Sequence, residues 1–136
     1  MDLNKIIFYR LPVFLYCIFI FWQSSYASPD SLPCFPFSDK IMHFGGYGLL
    51  GVLVIRALYR ENLNFSRKGL ILSAIVFSAL YGLSDEIHQS CVSQRSAEAL
   101  DVAADALGSA AGVLIYSLGK ETFLKKPQSA AGKTKQ

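Results

Sequence analysis

The chain has two histidines, and each stands within a few residues of carboxylates: Asp39-Lys40-Ile41-Met42-His43 and Asp85-Glu86-Ile87-His88-Gln89. Arg95, Glu98, Asp101 and Asp105 follow. Imidazoles and carboxylates gathered in one place can hold a divalent cation or move protons in general acid–base chemistry. Lys40, Gln89 and Arg95 suit recognition of phosphate or carboxylate, with the arginine able to bind in bidentate fashion. Lys40, His43 and Tyr47 are spaced three and four apart, as are Glu98, Asp101 and Asp105, so each set shares one face of a helix. No HExxH or GxSxG pattern is present, and no nucleophile is evident beside a histidine.

The elements that must carry these residues are apolar. Of 136 residues, 52% are hydrophobic and 17% charged, which excludes a disordered chain and departs from an ordinary soluble domain. Three cysteines are too few for a disulfide scaffold and lack zinc-finger spacing. No pattern of basic and aromatic residues points to nucleic acid. Four apolar segments, at about 6–23, 41–59, 69–87 and 101–118, show almost no polar face, unlike the helices of a soluble bundle. A helix crosses a bilayer with ~20 apolar residues, ~17 at the least. The third segment reaches that length only if its helix continues through Asp85 to Ile87. The expected fold is therefore all-α: a polytopic four-helix transmembrane bundle over residues 1–119, followed by a basic, disordered cytoplasmic tail over 120–136. Ser25-Tyr26-Ala27 offers the small residues of a signal cleavage site, but the preceding apolar stretch is longer than a signal core. The first segment is read as a retained span.

Charge sets the expected orientation. Lys5, Arg10, Arg56, Arg60, Arg67, Lys68 and the tail lysines put eleven of the thirteen basic residues on one side, leaving Lys40 and Arg95 on the other. Basic flanks stay in the cytoplasm, so both termini are expected inside. Seven of the ten acids, Asp30, Asp39, Asp85, Glu86, Glu98, Asp101 and Asp105, lie on or near the opposite, outer side. Acids contribute little to orientation, so this surplus points to an outer surface with a polar task.

Small residues predict how the spans meet. Gly108-Ser-Ala-Ala-Gly112 is a GxxxG pattern, which lets another helix approach closely. It packs helices within the chain or pairs two copies of it as a homodimer. Ala74, Ser78 and Gly82 form a matching stripe on the third span, so the third and fourth spans are expected to touch along these faces. Asp105 lies more than a turn inside its apolar segment, where an acid needs a partner; Arg95, Lys40 and His88 are the expected candidates. Cys34 and Cys91 both fall in expected outer loops, where an oxidising compartment permits a disulfide between them.

In order and spacing these motifs resemble the VanZ-like family of small bacterial membrane proteins. The resemblance covers about residues 21–116. It rests on Trp22-Gln23-Ser24-Ser25, Asp39-Lys40-x-x-His43-Phe44-x-x-Tyr47, Asp85-Glu86-x-His88-Gln89, Arg95, and Asp101-x-x-x-Asp105-x-x-Gly108. This chain departs in the approach to its arginine, Cys91-Val92-Ser93-Gln94-Arg95, and in having Asp105 where many members have asparagine. The resemblance implies a multi-pass protein of the bacterial inner membrane. The family takes its name from a protein linked to low-level resistance to teicoplanin, a glycopeptide that binds cell-wall precursors.

Two functional readings follow. In the first, a non-enzymatic envelope protein uses Asp39, Lys40, His43, Tyr47, Asp85, Glu86, His88, Gln89, Arg95, Asp101 and Asp105 as one outer polar cluster. The cluster would bind a lipid headgroup, a cell-wall precursor or a partner protein, with no metal or cofactor assigned. In the second, a membrane enzyme uses the carboxylate and histidine groups, holding a divalent metal or acting as acid–base pairs, on a lipid or precursor headgroup.

Overall fold

The computed structural model describes residues 3–26, 37–61, 63–93 and 97–124. The described residues are all-helical, and four helices are long and apolar enough to cross a membrane. A turn at Leu3–Lys5 and a π-helical turn at Ile6–Arg10 lead into α1, Leu11–Ser24. Pro12 falls in its first turn, where the missing N–H is not needed. Three longer helices follow: α2, Ser38–Leu58; α3, Arg67–Gln89; and α4, Ala99–Leu124. Ser66 caps α3, its Oγ accepting the Gly69 N–H at 3.1 Å, the usual service of an N-cap hydroxyl. The third apolar segment does continue through Ile87, which gives α3 its spanning length.

Apolar side chains turn outward in this bundle. Phe14, Leu15, Ile18 and Phe19 on α1, Leu72 and Leu80 on α3, and Leu107, Ile115 and Leu118 on α4 are all exposed. Buried positions hold Leu50, Val54, Ile55, Ala74 and Val113 together with Ser78, Ser109, Asp85, Glu86 and Asp105. A lipid solvent reverses the usual gradient, since hydrocarbon chains are as apolar as leucine and helices are joined instead by close packing and polar contacts.

Glycine decides which helices approach most closely. A Cβ on Gly108 would strike the Phe44 carbonyl, and one on Gly112 the Gly48 carbonyl. On α2, a Cβ at Gly51 would lie 2.7 Å from the Ser109 oxygen and one at Gly48 would lie 3.3 Å from the Gly108 oxygen. The GxxxG glycines are therefore spent against α2, within the chain, while the expected contact of the third and fourth spans is made one turn nearer the acidic end, where Gly82 meets Asp105. The reason is local. The second span offers two glycines, Gly48 and Gly51, to receive a bare backbone, whereas the one glycine of the third-span stripe, Gly82, faces the Asp105 side chain.

α1 sits at the edge of this core, with little of its span buried. Tyr16 OH donates to the Gly46 carbonyl at 3.1 Å, and Tyr81 OH donates to the Cys17 carbonyl at 2.6 Å. The two ends of the bundle differ in charge. At one end Arg10 makes a two-pronged pair with Glu61, at 2.8 and 2.9 Å. Arg67 there donates to the Ser117 carbonyl at 2.7 Å, and Lys120 lies 4.2 Å from the Tyr59 ring centre. The opposite end is acidic.

Candidate functional site

The acidic end is built in two tiers, one helical turn apart. Lys40, in the first turn of α2, forms the upper one. Its Nζ lies 2.6 Å from Asp39 Oδ2, 2.6 Å from Glu98 Oε2 and 3.0 Å from Asp101 Oδ1. Asp39 and Glu98 are largely exposed, at 56% and 47% of their side-chain surface, whereas Asp101 is buried at 8%. Three residues on along α2 and four along α4, the lower tier places His43 Nδ1 2.9 Å from Asp105 Oδ1 and 3.7 Å from Glu86 Oε1. Asp105 is fully buried and Glu86 nearly so.

Each acid is held by a different element. Glu86 comes from the last turns of α3, and its Oε2 accepts the Glu98 backbone N–H at 3.1 Å, which ties the approach to α4 onto α3. Its other oxygen, Oε1, turns toward His43 and has no hydrogen-bond partner among the described residues. Gly82 gives Asp105 its room. Tyr47, one turn below His43, stacks with the imidazole at 6.3 Å between ring centres.

A third group flanks these tiers on the α1 side. Asp85 accepts the Ser24 hydroxyl through Oδ1 and the Gln89 amide through Oδ2, at 3.0 Å. His88 stacks on Phe21 at 4.4 Å, with Nε2 3.0 Å from Ser25 Oγ. The sequence shows no nucleophile beside a histidine, and the structure supplies this pair. Ser25 Oγ also lies 2.7 Å from the Phe21 carbonyl, which can only accept. The one hydroxyl proton is shared between these two neighbours, and the direction of the Ser25–His88 hydrogen bond follows the tautomer of the imidazole.

Of the residues singled out in the sequence, Asp39, Lys40, His43, Glu86, Asp101 and Asp105 converge in the two tiers, with Tyr47 beneath. Asp85, His88 and Gln89 form the flanking group. Arg95 and Cys34 lie outside the described residues, and Cys91 is exposed. Among the described residues the partner of Asp105 is His43 rather than the expected Lys40 or His88. Lys40 is engaged by other carboxylates and His88 faces α1. Lys40 and Gln89 donate to carboxylates of the chain itself, so neither is turned toward an anionic ligand. Glu98, read from the sequence as sharing a face with Asp101 and Asp105, joins the upper tier; Ser24 and Ser25, adjacent hydroxyls closing the first span, join the flanking group.

Four spanning helices closed at one end by a buried histidine–carboxylate cluster define a small polytopic membrane protein. The chain belongs to the VanZ/LLP1 family, whose model matches residues 4–120. No curated protein and no solved structure matches it.

Proposed function

We propose that this chain is an inner-membrane protein of the bacterial cell envelope, with both termini in the cytoplasm, whose outward acidic end binds an ammonium-bearing headgroup. The source is an envelope lipid or a lipid-linked cell-wall precursor. The observation that carries this reading is the upper tier. Asp39, Glu98 and Asp101 surround Lys40, and two of these carboxylates are largely open. Ionised carboxylates only accept hydrogen bonds, and Lys40, the one cation among them in the described residues, is already engaged. Such a rim attracts ammonium donors and repels a bare phosphate. The basic-residue asymmetry supports the orientation, and a headgroup at that depth is within reach of the membrane interface.

Retention of lipid tests the reading. The protein is reconstituted in nanodiscs containing equal phosphatidylethanolamine and phosphatidylglycerol, extracted, and the bound lipid identified by native mass spectrometry. The amine lipid should be enriched, and the enrichment should fall in Asp39→Asn/Glu98→Gln. Precursor binding is read in the same assay with an amine-containing lipid-linked peptide and its N-acetylated form. Equal retention of amine and non-amine ligands would remove the reading. The link to teicoplanin that the family implies is tested separately: loss of the gene should raise susceptibility, and the same double variant should fail to restore resistance.

A further inference from the structure

We propose that the lower tier, His43, Glu86 and Asp105, is a binding site for one divalent transition-metal ion of the zinc or manganese class. Each residue offers one ligand atom, and the three atoms lie within 4.8 Å of one another. Ligands around a four-coordinate ion at ~2.0–2.2 Å are separated by about 3.4 Å. The observed 2.9 Å from His43 Nδ1 to Asp105 Oδ1 and 3.7 Å to Glu86 Oε1 bracket that figure. Three protein ligands leave a fourth position for water or an incoming group.

The second observation is independent of the clustering. Glu86 Oε1 is buried, has no hydrogen-bond partner among the described residues and faces the imidazole at 3.7 Å. Unpaired buried carboxylate oxygens are costly, and the arrangement around this one points it inward. The Glu98 N–H holds Oε2, an outer contact of the kind that orients metal ligands. Charge gives the same answer. With both buried carboxylates ionised the set is net negative even with the imidazole protonated, and a divalent ion with a neutral imidazole would close that balance. The imidazole nitrogen favours zinc over magnesium and calcium, which prefer all-oxygen sets, and the two carboxylates keep manganese beside zinc. The upper tier differs in having no imidazole among its carboxylates and in holding the Lys40 ammonium at its centre, where an ion would have to sit. This inference does not rest on the headgroup reading.

The test uses the full chain without a polyhistidine tag, in lipid-free detergent, stripped with chelator and then titrated with Zn²⁺, Mn²⁺, Mg²⁺ and Ca²⁺. Bound metal is counted by mass spectrometry, and the melting temperature is followed in parallel. One equivalent of Zn²⁺ or Mn²⁺ per chain is expected, bound at least about tenfold more tightly than Mg²⁺ or Ca²⁺, with a raised melting temperature. His43→Ala and Asp105→Asn should weaken binding by about a hundredfold, near the upper end of what loss of a supporting group costs in metal sites. Asp39→Asn, in the upper tier, should leave it unchanged. Folded wild-type protein that binds no ion saturably overturns the proposal, whatever the variants do. So does binding that survives His43→Ala and Asp105→Asn, or that is lost equally in Asp39→Asn. Because lipid is absent, a failure here leaves the headgroup assay standing, and the reverse.

Discussion

Gly82 on α3 and Asp105 on α4 face each other so closely that a Cβ on the glycine would lie 2.6 Å from Asp105 Oδ2 and 2.8 Å from its Cβ. The Oδ2 end of the carboxylate could swing away, but the Asp105 Cβ is fixed to the helix. The glycine is thus a condition for Asp105 being where His43 can reach it.

Gly82→Ala should therefore destabilise the protein by ~1–3 kcal/mol, the usual cost of overpacking. A drop of several degrees in melting temperature in detergent is expected. Gly119→Ala is the control: nothing lies within 4 Å of its added methyl, and alanine is favoured over glycine in a helix by up to ~1 kcal/mol. Equal melting temperatures for the two variants would show that α3 and α4 stand further apart than described.

The α2–α4 contact makes a second claim of the same kind. Gly112→Ala would drive a methyl into the Gly48 carbonyl, backbone against backbone, where no rotamer change relieves it. A larger loss than for Gly82→Ala is expected, with poor recovery of folded protein after detergent extraction. If wild-type protein is dimeric in detergent and Gly112→Ala is recovered as a folded monomer, the GxxxG face is reassigned to a dimer.

Lys40 and Arg10 separate the two ends. Lys40 is mostly covered, with 16% of its side chain exposed, and it faces three carboxylates. Arg10 has 51% of its side chain exposed and one partner. Lys40→Met leaves three acids in mutual repulsion, so a clear fall in melting temperature is expected, one that Asp101→Asn partly reverses. Arg10→Ala removes a pair screened by solvent and should change the melting temperature little. Similar effects from both variants would contradict the packed upper tier.

Orientation has a direct test. A reporter fused after Gln136 should be active only if it works in the cytoplasm. In a Cys34→Ser background, Cys91, which is exposed at the acidic end, should react with a membrane-impermeant maleimide added to spheroplasts. Protection of Cys91, or an active periplasmic reporter after Gln136, would invert the topology.

The membrane class, the four spans and the segregation of charge to two ends were legible in the chain because each is a local property. Length, hydropathy and the positions of lysine and arginine need no knowledge of neighbours. The face shared by Lys40 and His43, and the one shared by Asp101 and Asp105, were legible for the same reason: helix period fixes azimuth within one helix. What the chain did not settle is which faces meet. The GxxxG stripe has one preference, a bare backbone, and both the second and third spans offered small residues. Only the assembled bundle, with Gly48 and Gly51 on α2 receiving α4 and Gly82 yielding its space to Asp105, decided between them. That choice then brought His43, rather than Lys40 or His88, to Asp105 and Ser24 to Asp85. Sequence spacing sets the depth of a polar side chain along its own helix, but its partner is set by the rotation and separation of helices, and those depend on where backbones can touch.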